Sequence, residues 1–168
     1  MPDIPARLAE RLRSEGQKTL EFFQDLKSSQ WDQQLYTEGS CWSIRLVLAH
    51  FVSSEASFFK LFENVLAGGQ GAPEGFDIDS YNERKVDQLR EMTPTDLLNR
   101  FAELRQESAM LVARMSPEDL SRTGRHPFLG VTRLEDMIKL LYRHNQIHLR
   151  DIRKVLVSDP GGVESLLK

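Results

Sequence analysis

Apolar positions in this chain recur in steps of three and four, and hardly anywhere in the strict alternation of a half-buried strand. Between 95 and 115 they fall at 97, 98, 101, 104, 111, 112 and 115, the stripe of one helix face. Prolines stand at 2, 5, 73, 94, 117, 127 and 160. The glycines, apart from Gly16, gather at 39, 68–75, 124–130 and 161–162. Gly and Pro punctuate structure, so the quiet stretches between them predict four long helices. These run over about 5–29, 43–67, 95–115 and 133–157, with a shorter one near 81–91.

Start and stop signals agree with that division. Thr93-Pro94-Thr95-Asp96 and Ser116-Pro117-Glu118-Asp119 each place a hydroxyl cap before proline, with an acid three residues on. Ser80 with Glu83 and Thr132 with Glu135 repeat the spacing, and Gly68-Gly69 ends the second helix. No Asn-Gly or Asp-Gly turn joins two alternating runs, so no strand is predicted. The expected fold is all-α: a four-helix bundle with one or two short extra helices. The connection between helices 2 and 3, from 68 to 94, is long enough to cross the bundle.

The 168 residues suit one domain, 1–168. No apolar run approaches the ~18 residues of a membrane span. The opening Met1-Pro2-Asp3-Ile4-Pro5 lacks the basic and apolar blocks of a secretory signal, so a cytoplasmic location is expected. A net charge of −3 argues against nonspecific nucleic-acid binding, which needs a basic surface. Cys41 is the only cysteine, which excludes an internal disulfide and a cysteine-based zinc site.

The histidines carry the candidate chemistry. His144 and His148 lie four apart, hence about 40° apart on one helix face. That spacing lets two imidazole nitrogens reach one metal ion. Met137, Leu141 and Val155 share the face, so the pair points inward. His50 sits mid-helix among Ser43, Leu46, Ser54, Ser57 and Leu61, away from the stronger apolar arc of Ile44, Leu48, Phe51, Phe58 and Phe62. A cavity wall has that mixed character. Three histidines on two bundle helices can form a three-ligand site with open positions, the catalytic rather than structural pattern. Ordinary core histidines, each satisfied by a neighbour, are the plainer alternative.

Other residues have more than one reading. Asp151 is placed to take an imidazole N–H, to serve as a fourth ligand, or to be a surface acid. Asn145 occupies the place of the general base in His-Glu-x-x-His proteases, which disfavours that chemistry. Glu55 falls within the apolar arc and needs an edge position or an ion pair with another helix. His126 reads as a turn residue, and Cys41 as a small residue at a helix entrance. The glycine-rich 68–75 stretch lacks the Lys-Ser or Lys-Thr of a phosphate loop, and there is no Gly-x-Ser-x-Gly elbow.

Together these segments resemble the DinB/YfiT-like family of four-helix-bundle metalloenzymes over about Trp42 to Ile152. Trp42-Ser43-Ile44-Arg45, Leu48-Ala49-His50-Phe51 and Ser54-Glu55 are similar to the family's second-helix motif. Phe76 to Asn82 resembles the segment before the third helix, and His126-Pro127 with Leu129 to Thr132 the lead into the last. His144-x-x-x-His148-Leu149 looks like the paired histidines. Where the family often continues Gln-Ile, this chain reads Asp151-Ile152.

The resemblance implies a divalent ion, zinc or nickel, on His50, His144 and His148, and a homodimer. Surplus aromatics (Phe22, Phe23, Phe51, Phe58, Phe59, Phe62) also suggest a second subunit, or packing under the long connection. Members of the family include transferases and isomerases that use bacillithiol or mycothiol. The expected activity is therefore transfer of a low-molecular-weight thiol to a small-molecule electrophile. A non-catalytic metal- or ligand-binding bundle in stress response and a metal-dependent hydrolase are the alternatives. No residue is assigned as general base, and Asn82 is given no role.

Overall fold

The computed structural model describes residues 3–158; Pro2, Pro160, Gly161, Gly162 and both ends of the expected 1–168 domain lie outside them. Helix α1 spans Ile4–Gln24, α2 Ile44–Leu66, α3 Ile78–Gln88, α4 Pro94–Ala113, α5 Pro117–Leu120 and α6 Leu134–Ser158. A two-stranded antiparallel sheet, β1 (Thr123–His126) and β2 (Gly130–Arg133), precedes α6. The bundle is formed by α1, α2, α4 and α6, with α1 and α2 each packed on α4 and α6. The long connection between α2 and α4 carries the short helix α3, which lies on α2.

Helix starts follow local chemistry. Asp3, Ser43, Thr93 and Ser116 each accept a backbone N–H of the first turn through their side chains, satisfying donors that have no partner within the helix. Two expected caps are corrected. Asp77, not Ser80, starts α3, taking Ser80 N at 3.1 Å and the Ser80 hydroxyl at 2.7 Å; the helix therefore begins three residues early. Thr132 lies on β2, and its hydroxyl goes to Asp136 at 3.2 Å.

Tertiary packing overrides pattern in two places. Helix α1 ends at Gln24 although no breaker follows, because the chain turns to lay Trp31 on Phe23, ring centroids 5.6 Å apart. The stretch 123–133, expected to be loop, pairs as a hairpin. Its outer edge takes up the connection after α2: Arg125 N donates to Gln70 O at 2.8 Å and Ala72 N to Arg125 O at 2.7 Å. Burial alternates along both strands, but the inward positions of β1 are Gly124 and His126, so no apolar alternation marks it in the sequence. The connection is thus fixed at its start by sheet bonds rather than crossing freely.

The core divides in two. One apolar cluster joins Leu12, Phe62, Val112, Leu134, Met137 and Leu141; the other joins Phe23, Leu48, Phe51, Leu97, Phe101 and Leu149. Between them every bundle helix places buried polar groups at one level: Glu15 and Thr19 on α1, His50, Ser53 and Glu55 on α2, Arg105 and Ser108 on α4, Asn145 on α6. Phe23, Phe51, Phe58 and Phe62 are filled within the chain, while Phe22 and Phe59 are partly buried. The aromatic surplus is therefore mostly spent inside.

Candidate metal centre

The three histidines gather where this polar layer opens toward α6. His50 is buried on α2, and His144 and His148 are half-buried one turn apart on α6. His50 Nε2 lies 2.9 Å from His144 Nε2, which lies 3.1 Å from His148 Nε2. One ligand atom from each falls within 4.8 Å of the others. Nitrogens held ~2.0–2.1 Å from a shared tetrahedral ion stand ~3.3 Å apart, so a first-row divalent ion fits between these rings. The donor set suits zinc or nickel among several such ions.

Electrostatics favour the ligand form. Burial holds all three imidazoles below their ordinary 6.5, His50 well below it and His144 down to about 3. A charged ring here would lose hydration and face two others, so each stays neutral with a lone pair to offer. Packing holds the rings in place: Trp42 covers His50 with centroids 4.7 Å apart, and Phe51 borders His144 and His148 at 5.9 and 5.7 Å. Ser54 Oγ is 3.5 Å from His50 Nδ1, at the limit of a hydrogen bond.

Asp151 is partnered by Tyr36 rather than directly by an imidazole. Its Oδ2 accepts from the Tyr36 hydroxyl at 2.8 Å, and the Tyr36 phenol oxygen in turn lies 2.7 Å from His148 Nδ1. Asp151 therefore acts on the imidazole through a phenol, and it stands outside the cluster of three. Burial first, and Asp151 second, push the Tyr36 phenol up. Tyr36 sits in the polar segment before α2, 112 positions from His148. Nothing in its spacing marks it.

Glu55 is fully buried and paired to Arg105 of α4, the ion-pair alternative of the sequence reading. His126 takes Phe128 N and Leu129 N on its Nδ1 at 3.0 and 3.2 Å and packs on Phe58, which makes it a hairpin-turn residue apart from the triad. Burial lowers it to about 4. Cys41 is exposed. Asn82 is half-buried on α3 and outside the cluster. Of the basic residues on α6, Arg143, Arg150, Arg153 and Lys154 are exposed, as a solvated face requires, while Lys139 is half-covered beside Glu135 at 2.7 Å.

The family model of the DinB superfamily matches residues 11–152. Three solved structures share the fold. YfiT from Bacillus subtilis, "a probable metal-dependent hydrolase with an unusual four-helix bundle topology", is 18% identical with a TM-score of 0.74, over 92% of this chain and 90% of its own. The colibactin self-resistance protein ClbS, solved with a dsDNA, is 15% identical with a TM-score of 0.68, over 92% and 98%. A mycothiol-dependent maleylpyruvate isomerase is 15% identical with a TM-score of 0.65, over 88% of this chain and 59% of its own. No curated protein matches the sequence. At these identities the likeness concerns the fold.

Proposed function

Because the chain belongs to the DinB superfamily, we propose that it is a metal-dependent enzyme that transfers a low-molecular-weight thiol to a small electrophilic substrate. The observation that carries this reading is the convergence of His50, His144 and His148 Nε2 between α2 and α6. When bound there, zinc or nickel would supply a Lewis acid that holds a thiol as thiolate near neutral pH. The chain's own part is to hold. The three neutral imidazoles offer lone pairs, while Trp42 and Phe51 pack against the rings and hold them in place. The name of the mycothiol-dependent neighbour supports the thiol.

Hydrolysis at the same three ligands is the second reading, favoured by the description of YfiT. A non-catalytic metal-binding bundle is the third. Metal analysis of natively purified protein, then a thiol-panel assay with an electrophile, separates them. Metal-dependent consumption of thiol and electrophile together supports transfer. Turnover without thiol supports hydrolysis. Stoichiometric metal with neither supports the binding bundle.

The proposal includes a second copy of the chain as partner, on the family resemblance, and a cytoplasmic setting. Among the described residues no helix is long and apolar enough to cross a membrane. No nucleic-acid partner is included: the net charge of −3 opposes the electrostatic attraction that a DNA backbone demands. Light scattering during size exclusion checks the assembly, a single species near 19.3 kDa excluding the dimer.

A further inference from the structure

On the reading of the triad as a metal site, we propose that Tyr36, anchored by Asp151, is a positioning residue that fixes the proton of His148 on Nδ1 and leaves its Nε2 lone pair free for the ion. Counting hydrogens carries the argument. A phenol has one O–H, and a carboxylate offers only acceptors. The Tyr36 hydrogen goes to Asp151 Oδ2 at 2.8 Å. At the 2.7 Å contact with His148 Nδ1, the phenol oxygen must then accept, so the hydrogen between them belongs to Nδ1. A neutral imidazole with Nδ1–H has a bare Nε2. That atom is the one facing His144 Nε2 at 3.1 Å.

The segment that carries Tyr36 is itself held in place. Leu35 N and Tyr36 N both donate to Trp42 O, at 2.9 and 3.1 Å, and Gln34 bridges to Ser43, the cap of α2. Trp42, on the return limb, lies against His50. One short loop therefore braces a histidine on α2 through an indole and a histidine on α6 through a hydroxyl. The loop aligns ligands from two helices, which no contact within either helix can do.

The test reads proton position and metal affinity separately. Histidine 15N shifts are recorded on the full-length metal-free protein at neutral pH, and zinc ion alone is titrated against a competing chelator. The wild type is expected to show Nδ1–H at His148. Tyr36→Phe should give a mixture of tautomers and bind zinc about 10–100-fold more weakly, as loss of a hydrogen-bond partner to a metal-ligating histidine does. Asp151→Ala frees the Tyr36 hydrogen to donate to Nδ1, so His148 should move to Nε2–H. Asp151→Asn keeps an oxygen acceptor and should restore Nδ1–H. The inference is overturned if wild-type His148 carries its proton on Nε2, or if Tyr36→Phe and Asp151→Ala both leave it unmoved. Failure of the wild type to bind zinc would defeat the metal reading, while the position of the His148 proton still decides the role of Tyr36.

Discussion

Arg105 Nε lies 3.0 Å from Glu55 Oε1, and Arg105 Nη1 lies 3.1 Å from the Leu12 carbonyl. One guanidinium thus ties α4 to α2 and to α1 in the middle of the bundle. Gly16 makes room for it: a Cβ there would stand 2.7 Å from Arg105 Cγ. Desolvation raises the Glu55 carboxyl and Arg105 works against that rise, so each charge depends on the other.

Removing one partner of this pair should be far worse than removing both. Arg105→Met or Glu55→Leu alone leaves a buried, unpaired charge and is expected to cost about 3–5 kcal/mol. The double variant should recover much of that loss. Urea unfolding of the two singles and the double checks the sign of the coupling; equal, additive losses would contradict it.

Alanine at His50, His144 or His148 should weaken zinc retention by more than about 100-fold, beyond the effect of an outer hydrogen-bond partner. Helix content should stay near wild type, since each ring is one element of a packed bundle. Metal analysis after chelator dialysis, beside circular dichroism, decides this. Full occupancy in His148→Ala would remove that residue from the ligand set.

Stability of the metal-free protein should fall as pH drops through the histidine range. The folded chain holds His144 at about 3 against an ordinary 6.5, with His50 and His148 shifted the same way. Between roughly 6.5 and 3 the unfolded chain therefore binds protons that the folded chain refuses. Above 6.5 the term vanishes. Urea midpoints measured from pH 8 to 4.5 should be flat at first and then decline, and His144→Gln should flatten the decline.

Gly71→Ala should be markedly destabilising. Its φ of +85° suits glycine, and an added Cβ would collide with the Arg125 backbone carbonyl. Relief requires opening the bonds between the connection and β1. A loss of roughly 2–3 kcal/mol is expected from strain of this kind, and thermal melting would show it. Gly75, also at positive φ but with open space around it, should lose less on the same change.

The bundle helices were legible where local signals bound them, as Thr93-Pro94 opens α4 and Gly68 follows α2, but the end of α1 and the start of α6 carried no such mark. The histidine pair was legible for the same reason, since a four-residue step is local geometry. His50 needed the further observation that its neighbours were small and polar. Tyr36 and Arg105 lay beyond reach, because their partners are set by how distant helices meet. The hairpin escaped because the inward positions of β1 are Gly124 and His126, so its alternating burial leaves no apolar pattern, and its pairing with Gln70 and Ala72 joins segments distant in sequence.

The candidate centre also draws together remote parts of the chain. His50 and His144 are 94 positions apart, and Tyr36 and His148 are 112 apart. Helix α6 by itself brings together His144 and His148, one turn apart, and the third ligand comes only from α2. The three-ligand set is thus a non-local feature, complete only when α2 and α6 meet rather than when either helix forms. Any ion that prefers three ligands to two then acts on the whole folding equilibrium, adding ~2.7 kcal/mol at a hundredfold excess over its Kd. If the proposed site holds such an ion, the unfolded fraction should grow as the metal is withdrawn, and a deficit of metal would be read as a deficit of folded protein.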